Sequence, residues 1–164
     1  MRNRGNGAAT ATRLNLKDEK IKVLSRHEPT TVPAGTPLSE SIRAMQQAKG
    51  DCLLICQDRR LVGIITERDI LMKVLGKDVD NQAAVDTFMT PNPDTLTVED
   101  TVGAALQMME RGGYRNIPLL SSDGELAGIL RSQDVLEYVA EAFPEEVLNL
   151  PPRPHQKMEE PEGA

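Results

Sequence analysis

Leu61-Val62-Gly63-Ile64-Ile65-Thr66-Glu67-Arg68-Asp69-Ile70 is written a second time, about 65 residues later, as Leu126-Ala127-Gly128-Ile129-Leu130-Arg131-Ser132-Gln133-Asp134-Val135. Each copy is an apolar run carrying one glycine, then a short polar turn, an aspartate and a helix-like apolar pattern. Gly63 and Gly128 keep the same spacing as Asp69 and Asp134, so the chain is an internal repeat and must be read as one before any single element is assigned.

Working outward, the same order precedes both copies. In the first, Thr30-Thr31-Val32-Pro33 reads as a brief strand ended by proline, and Thr36-Pro37-Leu38 reads as an N-cap with proline at N1. Leu38, Ile42, Met45 and Ala48 recur at helical spacing, and Gly50 is the expected left-handed stop. Cys52 to Cys56 is a near-continuous apolar run, as in a strand covered on both faces. Gln57-Asp58-Arg59-Arg60 turns it into the strand Leu61 to Ile65. Thr66 or Glu67 then caps a helix to about Leu75, with Ile70, Leu71, Val74 and Leu75 inward and Gly76 closing it. In the second copy Thr95-Leu96-Thr97 is the short strand, and Glu99 or Asp100 caps a helix with Val102, Ala105, Leu106 and Met109 inward, ended by Gly112-Gly113. Ile117 to Leu120 and Leu126 to Leu130 form the hairpin, and a helix from Asp134 turns Val135, Leu136, Val139 and Ala140 inward. Each unit therefore reads strand, helix, strand, strand, helix. Ile21 to Leu24 reads as a short edge strand.

The boundaries follow: a flexible arm over residues 1–18, repeat one over 19–78, repeat two over 79–143 and a proline-rich tail over 144–164. The 164 residues carry a formal charge of −6, which disfavours nucleic acid and anionic membrane. Aromatic residues are 2% of the chain, so its core is aliphatic. No apolar run is long enough to span a bilayer and no signal peptide is visible, which points to the cytoplasm. Cys52 and Cys56, on one strand, stand about 13 Å apart, too far to bridge. His27 and His155 lie in contexts that supply no further metal ligands, so the thiols read as small core groups and no metal is expected. No phosphate loop, dinucleotide fingerprint, nucleophile elbow or zinc helix occurs, so no enzyme activity is expected.

Thr87-Phe88-Met89-Thr90-Pro91-Asn92-Pro93, Arg115-Asn116-Ile117-Pro118-Leu119 and Gly128-Ile129-Leu130-Arg131-Ser132-Gln133-Asp134 together resemble a CBS domain. Gly63 to Ile70 resembles the end of another. Two in tandem resemble a CBS pair, or Bateman module, over about residues 25 to 140. The resemblance implies an α+β fold of two βαββα-type repeats packed with pseudo-twofold symmetry, leaving two clefts. It also implies homodimerisation through helices and a regulatory role exercised on a partner protein. The implied ligand is AMP, ADP, ATP or S-adenosylmethionine; the alternative is a ligand-free structural or interaction module.

Within that resemblance the candidate site residues are Thr66, Arg68, Asp69, Arg115, Ile117, Pro118, Arg131 and Asp134. A carboxylate in a helix's first turn can accept both ribose hydroxyls, the role the family gives Asp69 and Asp134; equally, each can simply complement its helix N-terminus. Thr66 keeps the family's hydroxyl three residues before the aspartate, whereas Arg131 replaces it with a cation that either meets phosphate or fills the cleft. Arg115 stands where the family often has a basic residue facing phosphate, and its counterpart in repeat one is Gly50. One cleft is thus expected to gather Arg115, Arg131 and Asp134, and the other Thr66 and Asp69, with Arg68 facing phosphate or solvent. Ile117 and Pro118, with Cys52 and Leu53, either line an adenine slot or belong to the strand core.

Overall fold

The computed structural model describes residues 17–24 and 26–142. Residues 1–16 of the arm expected over 1–18, and the whole tail over 144–164, lie outside the described residues. Strands β1 (Thr31–Pro33), β2 (Cys52–Gln57), β3 (Arg60–Thr66) and β4 (Thr90–Pro91) form one sheet in that order; β5 (Leu96–Thr97), β6 (Asn116–Leu120) and β7 (Leu126–Arg131) form the other. In both sheets the short first strand pairs parallel to the second and the hairpin is antiparallel. The helices are α1 (Leu38–Ala48), α2 (Glu67–Lys73), α3 (Val102–Gly112) and α4 (Ser132–Ala142). No helix among the described residues is long and apolar enough to cross a membrane.

The two halves exchange their leading segments. Ile21 and Leu24 form a 3-10 turn rather than the expected edge strand, and both are buried with Val102, Ala105, Leu119 and Leu130 of the second half. Reciprocally, Val85 and Phe88 pack with Leu38, Leu53, Ile55 and Ile65 of the first. Backbone bonds repeat the exchange: Ile21 N donates to Asp100 O and Val85 N to Thr36 O, both at 2.9 Å. Val102 N donates to Glu19 O at 2.8 Å and Leu38 N to Ala83 O at 2.9 Å. Each first-turn amide, which no residue of its own helix can satisfy, thus finds a carbonyl from the other half's leader.

A third cluster joins the halves: Cys52, Leu54, Ile64 and Ile129, with Leu61 and Leu126 against it. Ile64 and Ile129 are repeat equivalents, as are Leu61 and Leu126, so the seam lies on the pseudo-twofold axis. Asp51 and Asn116, also equivalents, meet there through Asn116 Nδ2 and Asp51 Oδ2 at 3.1 Å.

Several local expectations change. Lys49, not Gly50, is the left-handed residue closing α1, at φ 51°. Helix α1 starts after Pro37 with no side-chain cap, because Thr36 Oγ1 turns back to Pro33 O. Helix α3 is capped by Thr101, which accepts from Ala104 N. Asp100 is engaged instead by Thr97 N and Oγ1. Helix α2 ends at Lys73 and buries no side chain fully; Leu71, Leu75, Leu106, Leu136, Ala48 and Ala140, expected inward, are exposed. Helices this close to a small sheet can bury only one narrow stripe, and the remaining apolar positions face outward.

Candidate functional site

The site begins with the repeated glycine. A side chain at Gly63 would collide with Met89, and one at Gly128 would meet the His27 carbonyl at 3.6 Å. The close approach of the leader therefore requires glycine at Gly63, whereas at Gly128 the contact is an ordinary one. In the first half that leader is β4, with Thr90 opposite Ile64. In the second it is a single antiparallel bridge, with His27 opposite Ile129.

Strand β3 then runs into α2 through a reciprocal cap. Thr66 Oγ1 accepts from Asp69 N at 3.3 Å, while Asp69 Oδ2 accepts from Thr66 N at 2.9 Å and Thr66 Oγ1 at 2.8 Å. The arrangement is a capping box with aspartate in the third helical position. The other oxygen, Oδ1, pairs with Lys73 Nζ at 2.8 Å, and Lys73 also donates to Phe88 O at 2.7 Å. Burial works against the Asp69 charge, but the Lys73 and Thr66 donors prevail and hold its carboxyl below the ordinary value.

Asp69 borders a cleft of about 620 Å³ lined by both halves. Thr66, Arg68 and Asp69 come from the first half and Arg115, Asn116 and Pro118 from the second, with Thr90, Pro93 and Asp94 from the connecting segment. Its wall is therefore mixed: Arg68 and Arg115 line it together with the acidic residues Asp51, Glu67, Asp69 and Asp94. Tyr114 borders it too, its hydroxyl donating to Asp94 at 3.0 Å, which pushes the phenol's pKa up.

The structure thus regroups the expected residues. Arg115 shares a cleft with Thr66, Arg68 and Asp69, and Arg131 and Asp134 do not line that cleft. The cause is the exchange across the twofold seam, which sets the start of each central strand against the opposite half. Pro118 reaches the cleft, while Ile117 is buried in the second core and Leu53 in the first. Cys52 belongs to the seam, and burial and the Asp51 charge raise its thiol to about 12 against the opposing Arg131 charge. Cys56 is half-buried, and its thiol is likewise pushed up by burial.

Asp134 is only 4% exposed, against 16% for Asp69. Its Oδ2 accepts from Arg131 N at 2.8 Å, and its Oδ1 lies 2.7 Å from His27 Nε2. A carboxylate accepts, so the imidazole N–H is the donor. Sequence reasoning missed His27, which has no ligand-like spacing, and the Asp51–Asn116 pair. The second was findable, because residues one repeat apart must meet wherever they lie on the symmetry axis.

Comparison with known proteins agrees with this architecture. The family model described as CBS domain matches residues 20–76 and 85–141. A 17.7 kDa protein from Acidianus ambivalens is 30% identical over 117 residues, covering 71% of this chain and 70% of that one. Relatives from Arabidopsis thaliana are much longer, and the match covers only 16% of one of them. A conserved protein from Pyrococcus horikoshii superposes with TM-score 0.67 at 26% identity, covering 74% of this chain and 92% of that one. A CBS domain protein from Pyrobaculum aerophilum, complexed with AMP, superposes with TM-score 0.66 at 21% identity, covering 75% and 99%. With two family matches spanning most of its length, the chain belongs to the CBS-domain family and carries two such domains in tandem.

Proposed function

We propose that the chain is a regulatory module that takes an adenine nucleotide (AMP, ADP or ATP) or a related adenosyl ligand in the cleft beside Asp69 and passes its occupancy to a partner protein. One observation carries this reading: Asp69, held as an anion by Thr66 and Lys73, shares a 620 Å³ cleft with Arg115 from the other half. That volume suits a ligand of nucleotide size. In this reading the carboxylate accepts the ribose hydroxyls, Arg115 and Arg68 face phosphate, and Pro118 and Ile64 supply apolar surface for the base. The AMP complex of the Pyrobaculum relative supports the ligand class.

A ligand held by both halves favours whichever relative arrangement binds it better, and it moves that equilibrium only by its differential affinity. Leu71 and Met72 on α2, Leu75 just beyond its end and Leu136 on α4 are each more than half exposed, a surface suited to homodimerisation through helices. The reading makes the protein a cytoplasmic sensor rather than a catalyst. A ligand-free interaction module is the second reading, favoured by the burial of Asp134.

The test is a melting-temperature series with AMP, ADP and ATP, together with mass spectrometry of nucleotide carried through purification. A ligand that binds the folded chain raises its Tm by mass action. No shift at millimolar concentration for any of the three would leave the ligand-free reading standing.

A further inference from the structure

We propose that His27 seals the second cleft, so that each chain takes one nucleotide, at Asp69, and His27 is the residue that sets this stoichiometry. The inference rests on the nucleotide reading above and names its asymmetry.

The two acidic residues start from equivalent positions and end with different partners. Asp69 has a hydroxyl, a main-chain amide and a flexible lysine on its oxygens and still borders an open cleft. In the second half the hydroxyl is lost, because Arg131 replaces Thr66, and the lysine is lost, because Tyr138 stands where Lys73 would be. Only the Arg131 amide remains of that donor set. His27 supplies the missing donor from the opposite side, at 2.7 Å.

The leader makes this possible. His27 stands opposite Ile129 as Thr90 stands opposite Ile64. The same place in the fold thus carries a threonine that lines the first cleft and an imidazole that ends on the carboxylate of the second. Ribose recognition needs a carboxylate that two hydroxyls can reach together. Asp134, with 4% of its side chain exposed and an imidazole on Oδ1, presents no such surface. Two bonded donors also satisfy it in its buried position, which a buried carboxylate requires.

Equilibrium dialysis of the full chain against ATP and AMP counts the sites directly. We expect one nucleotide per wild-type chain, none for Asp69→Ala, two for His27→Ala, and one again for His27→Ala combined with Asp134→Ala. The converse graft, Thr90→His, leaves His27 untouched and is expected to cost the first cleft at least tenfold in affinity. It keeps the test decisive if His27→Ala folds poorly. Two sites in the wild-type chain overturn the seal. So does a single site in a folded His27→Ala chain, or a Thr90→His chain that binds as the wild type does. If the wild type binds none and His27→Ala binds one, the seal stands and the assignment at Asp69 falls. If neither binds ATP or AMP, both fall.

Discussion

The two halves of this chain share a strand order, a glycine and an aspartate, yet the aspartates stand among different partners. Asp69 keeps its threonine and lysine and borders a cleft; Asp134 has neither, and a histidine from the opposite half covers it. Repetition fixes where a carboxylate stands, and the neighbours decide whether a ligand can reach it. A motif in duplicate is therefore evidence for two equivalent folds and not for two equivalent sites.

The strongest way to probe the likeness of the halves is through their exchanged leaders. Ile21 is fully buried among residues of the second half, though it stands at the start of the first repeat in sequence. Ile21→Ala is expected to cost about 2–5 kcal/mol, as for other large-to-small core changes, measured by urea unfolding. Hydrogen exchange gives the sharper result: the amides of β6 and β7 lose protection before those of β2 and β3. Loss confined to β2 and β3 would show that the leader belongs to the half it precedes.

Next comes the contrast between the carboxylates. Asp134→Ala strands the Arg131 amide and the His27 imidazole, and is expected to cost about 1–3 kcal/mol of stability while leaving nucleotide binding at Asp69 within about twofold. Thermal melting with and without ATP reads both quantities at once. Full loss of the ATP-induced shift in a folded Asp134→Ala chain would return the site to the second cleft.

Arg115 gives a smaller effect. It is exposed at the mouth of the first cleft, so truncation to alanine removes charge without leaving a hole. The expected cost is about tenfold in ATP affinity, roughly 1.4 kcal/mol, and less for AMP, whose single phosphate offers fewer oxygens. Isothermal titration of both ligands checks the order; equal losses would mean that Arg115 does not face phosphate.

Much of this was legible beforehand because repeats expose themselves: the strand, helix, strand, strand, helix order of each half follows from apolar period and turn residues, whereas the edge strand β4 does not. What stayed hidden was contact across the axis. Arg115 was expected beside Asp134 because they share a repeat, but the start of β6 lies across the seam, in the cleft that Asp69 borders. Caps misled for a local reason. Asp100 looks like a helix cap, but Thr97 captures its carboxylate, and Thr101 takes the position. Leu136 looks inward by spacing, but α4 buries Asp134 and Val135 and leaves Leu136 outside.

The smallest effect concerns pH and separates the two carboxylates once more. Lys73 and Thr66 hold the Asp69 carboxyl below its ordinary value of 3.8, so the folded chain binds that proton less readily than the unfolded chain does. The stability this gives is fully present above the unfolded value and is lost as pH falls through the folded one. With Lys73 half-exposed, the pair contributes about 0.5 kcal/mol or less. Urea midpoints of the wild type and Lys73→Met, followed from pH 6 downward, should differ by a constant amount until about pH 4 and converge below it. Because Lys73 also donates to Phe88 O, part of the difference will persist in acid; only the converging part belongs to Asp69. A gap that stays constant through pH 3 would mean that Lys73 serves the exchanged leader alone, and that Thr66 is enough to hold the first carboxylate in place.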